Sequence, residues 1–145
     1  MSEKPKILFL CTGNSCRSQM AEGFARSFKG NDFEAFSAGI IAAGLDPYAV
    51  RVMKEVGVDI SKQQSKTVDA FVDTEFDYVV TVCDDAAEIC PFFPAKTKVV
   101  HHGFDDPPRL AATLRFQDEK LECYRRVRDK IRTYVDSLPE SLEHS

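Results

Sequence analysis

The chain begins with charged residues and then runs apolar through Lys6-Ile-Leu-Phe-Leu-Cys11. A compact run of this kind, bounded by turn residues, suits a strand covered on both faces. Thr12 to Ser15 breaks it. From Arg17, Met20, Ala21, Phe24, Ala25 and Phe28 recur at three- and four-residue steps, predicting a helix stopped by Gly30-Asn31. Phe33 to Ser37 alternates as a second strand does, and Asp46-Pro47 supplies an N-cap and an N1 proline for a helix burying Ala49, Val52, Met53 and Val56.

Ser65 to Val72 reads as a shorter helix, Asp77 to Cys83 as a β-branched third strand and Lys96 to His101 as a fourth. The final helix spans about Phe116 to Ser137, with Leu121, Tyr124, Val127, Ile131, Tyr134, Val135 and Leu138 on one stripe. Its other face carries Arg125, Arg126, Arg128, Lys130 and Arg132, read as solvated. The tail 139–145 is expected to be frayed. Strands alternating with helices predict an α/β fold with a parallel sheet between helical layers, and sites in such sheets form beyond the carboxyl ends of strands. Cys11 and Cys83 both sit at such ends.

Length changes this picture little: 145 residues, 43% hydrophobic, suit one domain over 1–145. The balance of 19 basic and 23 acidic side chains gives net charge −4, which offers no reason to invoke nucleic acid or an anionic membrane. The apolar run Ile7 to Leu10 is too short for a signal peptide or a membrane span, so a cytoplasmic location is expected; nothing in the sequence suggests other than a monomer. In that reducing compartment the five cysteines, at 11, 16, 83, 90 and 123, point to catalysis or redox exchange rather than a disulfide framework.

Cys11-Thr12-Gly13-Asn14-Ser15-Cys16-Arg17-Ser18 joins a strand end to a helix start. Cysteine and arginine at this spacing are weak evidence alone; the strand, turn and helix around them give the spacing its value. A glycine-containing turn before a helix can aim successive backbone N–H groups inward, and the helix dipole adds to their positive field. That is a cradle for a tetrahedral oxyanion. Arg17 can fork onto two of its oxygens, and the same field lowers the thiol pKa of Cys11. Ser18 is placed to hydrogen-bond the sulfur. Cys16 is read as structural and Cys123 as a packing residue.

The segment Ile7 to Arg26, together with Ser37-Ala-Gly39 and Asp105-Asp-Pro107, resembles the low-molecular-weight tyrosine phosphatases and their arsenate reductase relatives. The resemblance covers most of the chain. It implies a three-layer fold with a four-stranded parallel sheet flanked by helices, Cys11 as nucleophile, and Asp106 as the acid that protonates the departing oxygen, with Asp105 as fallback. Proline after Asp106 holds that residue extended.

Cys83 and Cys90 separate the two branches, because the phosphatases have no such pair. For a reductase, the resemblance implies that Cys11 attacks arsenate, Cys83 resolves the adduct and Cys90 draws the oxidation out as a Cys83 to Cys90 disulfide for thioredoxin to reduce. No bound cofactor is implied. Residues seven apart on an intact helix are about 10 Å apart along its axis, so that pairing requires rearrangement. A phosphatase of phosphotyrosine or a small phosphoester, its extra cysteines acting as a redox brake, is the alternative, and a redox or anion sensor a third. Pro108-Arg109-Leu110 stands where the phosphatase branch places tyrosines, which favours a small inorganic anion.

No metal site is expected. Zinc sites space their cysteines more closely, and His101-His102 point to opposite faces of a strand. Some related reductases hold potassium beside the loop; Asn14, Glu22 and Ser37 match that site, but Gln64 and Lys66 fall on its other two positions. The Lys66 ammonium is expected to take the ion's place and pair with Glu22.

Overall fold

The computed structural model describes residues 4–83, 93–94 and 96–143. Among them the strands are β1 (Lys6–Cys11), β2 (Glu34–Gly39), β3 (Tyr78–Thr81) and β4 (Lys98–His101). The helices are α1 (Arg17–Phe28), α2 (Pro47–Glu55), α3 (Pro107–Ala111), α4 (Gln117–Asp136) and α5 (Glu140–Glu143), with a 3-10 turn at Val68–Phe71. The sheet is parallel throughout in the order β2-β1-β3-β4, flanked by helices.

That order positions the site. β1 is followed by a neighbour on one side, β2, and then by one on the other, β3, so the chain reverses its direction of travel across the sheet at β1. Crevices in parallel sheets open at such a switch, beyond the carboxyl ends. With Leu10 paired to Thr81, the loop after β1 and the residues after β3 emerge side by side. Cys11 and Cys83 are thereby neighbours although 72 positions apart in the numbering.

Ile7, Leu8, Phe9 and Leu10 are wholly buried, as a central strand covered on both faces requires. Met20, Phe24, Val52, Met53, Leu121, Ile131 and Val135 join them in the core. Each such aliphatic or aromatic side chain contributes about 1.5–3 kcal/mol on burial. Asp46 caps α2 by accepting from the Tyr48 N–H at 2.9 Å, with Pro47 next in the helix.

Four expectations are corrected. Residues 65–67 are not helical: the Gly39 N–H donates to the Lys66 carbonyl at 2.8 Å and Thr67 bridges Gly39, so this segment runs extended beside β2. Only Val68–Phe71 coils. β3 ends at Thr81, leaving Cys83 in the turn beyond it rather than in the strand. The tail is not frayed as far as Glu143, because α5 forms there and buries Leu142 against the core.

The basic face of α4 is also not uniformly solvated. Arg128 is buried, donating to the Val52 carbonyl and to Glu55, both at 3.0 Å, while Arg125 meets Glu55 with two hydrogen bonds of 2.9 and 2.8 Å. Glu55 closes α2, so these arginines dock α2 on α4. Arg126 remains exposed.

Candidate active site

The loop from Thr12 to Cys16 is held by hydrogen bonds from outside it. Ile41 donates to the Thr12 carbonyl at 3.0 Å, Ala43 to Gly13 at 2.9 Å, and Asp46 to Ser15 at 2.9 Å. Asn14 adopts a left-handed backbone, φ 47°, and its fully buried side chain ties that turn down. Its amide donates to Ser18 Oγ at 2.9 Å and Ser37 Oγ at 3.0 Å, and its Oδ1 accepts from Gln19 and from the Lys66 N–H.

The start of α1 is left open to a ligand. Cys16 at the N-cap gives no side-chain hydrogen bond, and the first turn carries no acidic residue. The first N–H groups and the dipole of α1 therefore face the loop's concavity. Arg17 donates from Nη1 to the Phe104 carbonyl at 3.0 Å and places Nη2 3.6 Å from Asp106. Its Nε is buried without a hydrogen-bond partner, the only such side-chain atom among the described residues. A donor in that state costs free energy unless an acceptor arrives, and a tetrahedral oxyanion supplies one.

Cys11 lies at the floor of this cradle, 4% exposed. Its thiol is held well below the ordinary value. The largest cause is a hydrogen bond from Cys83; burial opposes it, and the Ser18 hydroxyl, the Arg17 charge and the Ser18 N–H add to the lowering. Cys83 Sγ is also 3.1 Å from Thr12 Oγ1. Either atom can be the donor in that contact; once Cys83 gives up its proton, the Thr12 hydroxyl is the group left to donate to its sulfur.

Cys16 has the opposite character: burial, then the nearby Asp46 charge, pushes its thiol well above the ordinary value, so it stays protonated at neutral pH. Asp106 stands at the N-cap position of α3, whose first residue is Pro107, with no side-chain capping hydrogen bond, and so is presented at the start of a short helix. Arg17, Cys83, Asp105, Asp106, Arg109 and Leu110 line one cavity of about 310 Å³ in front of the loop. Cys123 sits half-buried in α4 as a free thiol. His101 lies on β4 with Nδ1 2.8 Å from Thr81 Oγ1, and His102 stacks on Tyr134.

Cys90 lies outside the described residues, as does the segment that links it to Cys83. Of the expected site residues, the structure brings together Cys11, the loop through Ser18, Arg17, Cys83 and Asp106. The sequence reading missed Thr12 as a partner of Cys83, Gln19 and Ser65 as braces of the loop, and the Phe104 carbonyl that orients Arg17. Gln19 alone left a signal, a polar residue in the apolar stretch of a short helix.

The potassium donor set does not fit a cation here. Glu22, 2% exposed, already faces two side-chain cations: Arg26 at 2.7 Å and Lys66 at 4.0 Å. It also accepts from Ser37, while the Lys66 ammonium donates to the Gln64 carbonyl at 2.8 Å. An ammonium has no lone pair to offer an ion and repels one.

Comparison with known proteins agrees with this geometry. The family profile described as low molecular weight phosphotyrosine protein phosphatase matches residues 6–145. The arsenate reductase of Bacillus subtilis strain 168 is 49% identical over 139 residues, covering 96% of this chain and 98% of its own. A solved arsenate reductase in the phosphate binding state superposes with a TM-score of 0.73 at 30% identity, covering 92% of this chain and 95% of that one. A thioredoxin-dependent arsenate reductase of Corynebacterium glutamicum superposes at 0.66 and 28% identity, over 94% of this chain and 62% of that one. With the Cys11 loop, the parallel sheet and a profile match over nearly the whole chain, the protein belongs to the low molecular weight phosphotyrosine protein phosphatase family.

Proposed function

We propose that this enzyme reduces arsenate to arsenite through a three-cysteine relay, with thioredoxin as electron donor. One observation carries the reading: the sulfur of Cys83 sits in hydrogen-bonding contact with the nucleophile Cys11 at the floor of an oxyanion cradle. Hydrolysis of a phosphoester needs no second thiol there for its chemistry. A reductase does, since two electrons must leave the protein as a disulfide.

The Cys11 thiolate attacks arsenic, and an oxygen of arsenate departs as water with a proton from Asp106, leaving a thioester of arsenic(V). Arg17 and the loop N–H groups hold the remaining oxygens. The Cys83 thiolate, its proton given up, then attacks the sulfur of Cys11. The sulfur–arsenic bond breaks with its electron pair passing to arsenic, which leaves as arsenite, and a Cys11–Cys83 disulfide forms. Cys90 attacks Cys83, restores the Cys11 thiolate and leaves a Cys83–Cys90 disulfide, which the thioredoxin dithiol reduces.

The naming of relatives as arsenate reductases, one of them thioredoxin-dependent, supports the reading. In this reading the chain acts as one domain in the reducing cytoplasm, where free thiols persist. The phosphatase alternative uses Cys11, Arg17 and Asp106 for hydrolysis and keeps Cys83 as a redox brake on Cys11.

The test follows NADPH oxidation with thioredoxin and thioredoxin reductase. Oxidation that depends on arsenate and disappears in Cys90→Ser is the expected result. No NADPH consumption together with brisk hydrolysis of an aryl phosphate would transfer the assignment to a phosphatase.

A further inference from the structure

We propose that Arg109 is a second anion-binding residue of the site, one that captures a doubly charged tetrahedral oxyanion before Cys11 attacks it. The inference deepens the reductase reading and rests on it for the identity of the anion as arsenate. Its physical basis is a shortage of positive charge at the cavity mouth. The chain carries net charge −4, and Asp105 and Asp106 both line the cavity. A dianion approaching from solvent therefore meets two carboxylates and, behind them, the Cys11 thiolate.

Arg17 cannot offset all of this. One N–H of Nη1 is committed to the Phe104 carbonyl and Nη2 lies 3.6 Å from Asp106, so part of its charge is already engaged within the protein, while its buried Nε has no partner among the described residues. Arg109 supplies what is missing. It lines the same cavity, is exposed, and forms no ion pair among the described residues although two carboxylates share its cavity. It stands three positions after Asp106 on α3, and residues at that spacing share one helix face. Pro107 and Ala111 are buried and hold the other side of the helix against the protein.

A guanidinium on a short, anchored helix, without an ion pair among the described residues and beside the general acid, suits an anion that must arrive, react and leave. It forks onto two oxygens of a tetrahedral dianion and gains less from a monoanion. Such a charge acts chiefly on capture and on its dependence on salt.

The test needs no turnover. Inorganic phosphate or perchlorate is titrated against alkylation of Cys11 by iodoacetamide, read by peptide mass spectrometry. In Arg109→Gln, phosphate at pH 8 is expected to protect about tenfold more weakly than in the wild type, with perchlorate changed by about threefold or less and a flatter salt dependence. Arg109→Lys restores part of the phosphate effect. Arg126→Gln, which removes an equal charge from the exposed face of α4, leaves protection unchanged. Equal protection by phosphate in the wild type and Arg109→Gln overturns the proposal, as does equal weakening by Arg126→Gln. If Arg109 governs phosphate protection while arsenate draws no NADPH, the anion role stands and the reductase reading fails.

Discussion

The hydroxyl oxygen of Thr12 lies 3.1 Å from the sulfur of Cys83, and that contact couples the oxyanion loop to the thiol proposed to resolve the adduct. The two residues follow different strands and meet only because β1 and β3 are neighbours. A hydroxyl donating to a sulfur stabilises its thiolate and fixes its rotamer. Thr12→Val keeps the shape and removes the donor. It is expected to slow formation of the Cys11–Cys83 disulfide about tenfold while leaving the first attack within about twofold, with Thr12→Ser close to wild type. Rapid-quench measurement of arsenite release against adduct formation checks the split; equal slowing of both steps contradicts it.

The depressed thiol of Cys11 sets a pH dependence with a definite sign. A group whose folded pKa is lowered is ionised, and adds to stability, above its unfolded value; both properties fade as pH falls through the folded value. Alkylation of Cys11 should therefore persist well below the ordinary cysteine value and decline only as pH falls through the lowered one. Cys83 is the largest cause of the lowering, so Cys83→Ala moves the inflection toward the ordinary cysteine value. An inflection that does not move in that variant would place the cause elsewhere.

Cation dependence follows from Glu22. With Lys66 and Arg26 facing that carboxylate, wild-type turnover is expected to be the same in potassium and sodium chloride at equal ionic strength. Lys66→Met leaves the buried carboxylate with Arg26 alone and is expected to cost about 1–3 kcal/mol in denaturant unfolding. A rate specifically raised by potassium in the wild type would show that the ammonium does not stand in for the ion.

Much of this molecule is legible in its sequence, and what is not has physical reasons. The Cys11 loop announces itself because a buried strand, a glycine turn and an amphipathic helix each carry a local pattern, and all three meet there. The fate of Lys66 is not local: its backbone is drawn into hydrogen bonds with Gly39 and Asn14, partners distant in sequence, which override helical periodicity. Arg128 likewise sits on a face that reads as polar until α2 brings Glu55 to it. Thr12 acts through a single contact that no spacing rule encodes, and the partners of Gln19 at Gln63 and Gln64 are distant in sequence. Leu142 looks like part of a polar tail, and only the core shows where it is buried.

The most direct test of the central claim is a single turnover of Cys90→Ser with arsenate and no reductant, followed by peptide mapping. The account predicts one arsenite released per protein and a disulfide joining Cys11 to Cys83, with Cys16 still a thiol. Release of arsenite with Cys83 still reduced, or a disulfide from Cys11 to Cys16, would contradict it.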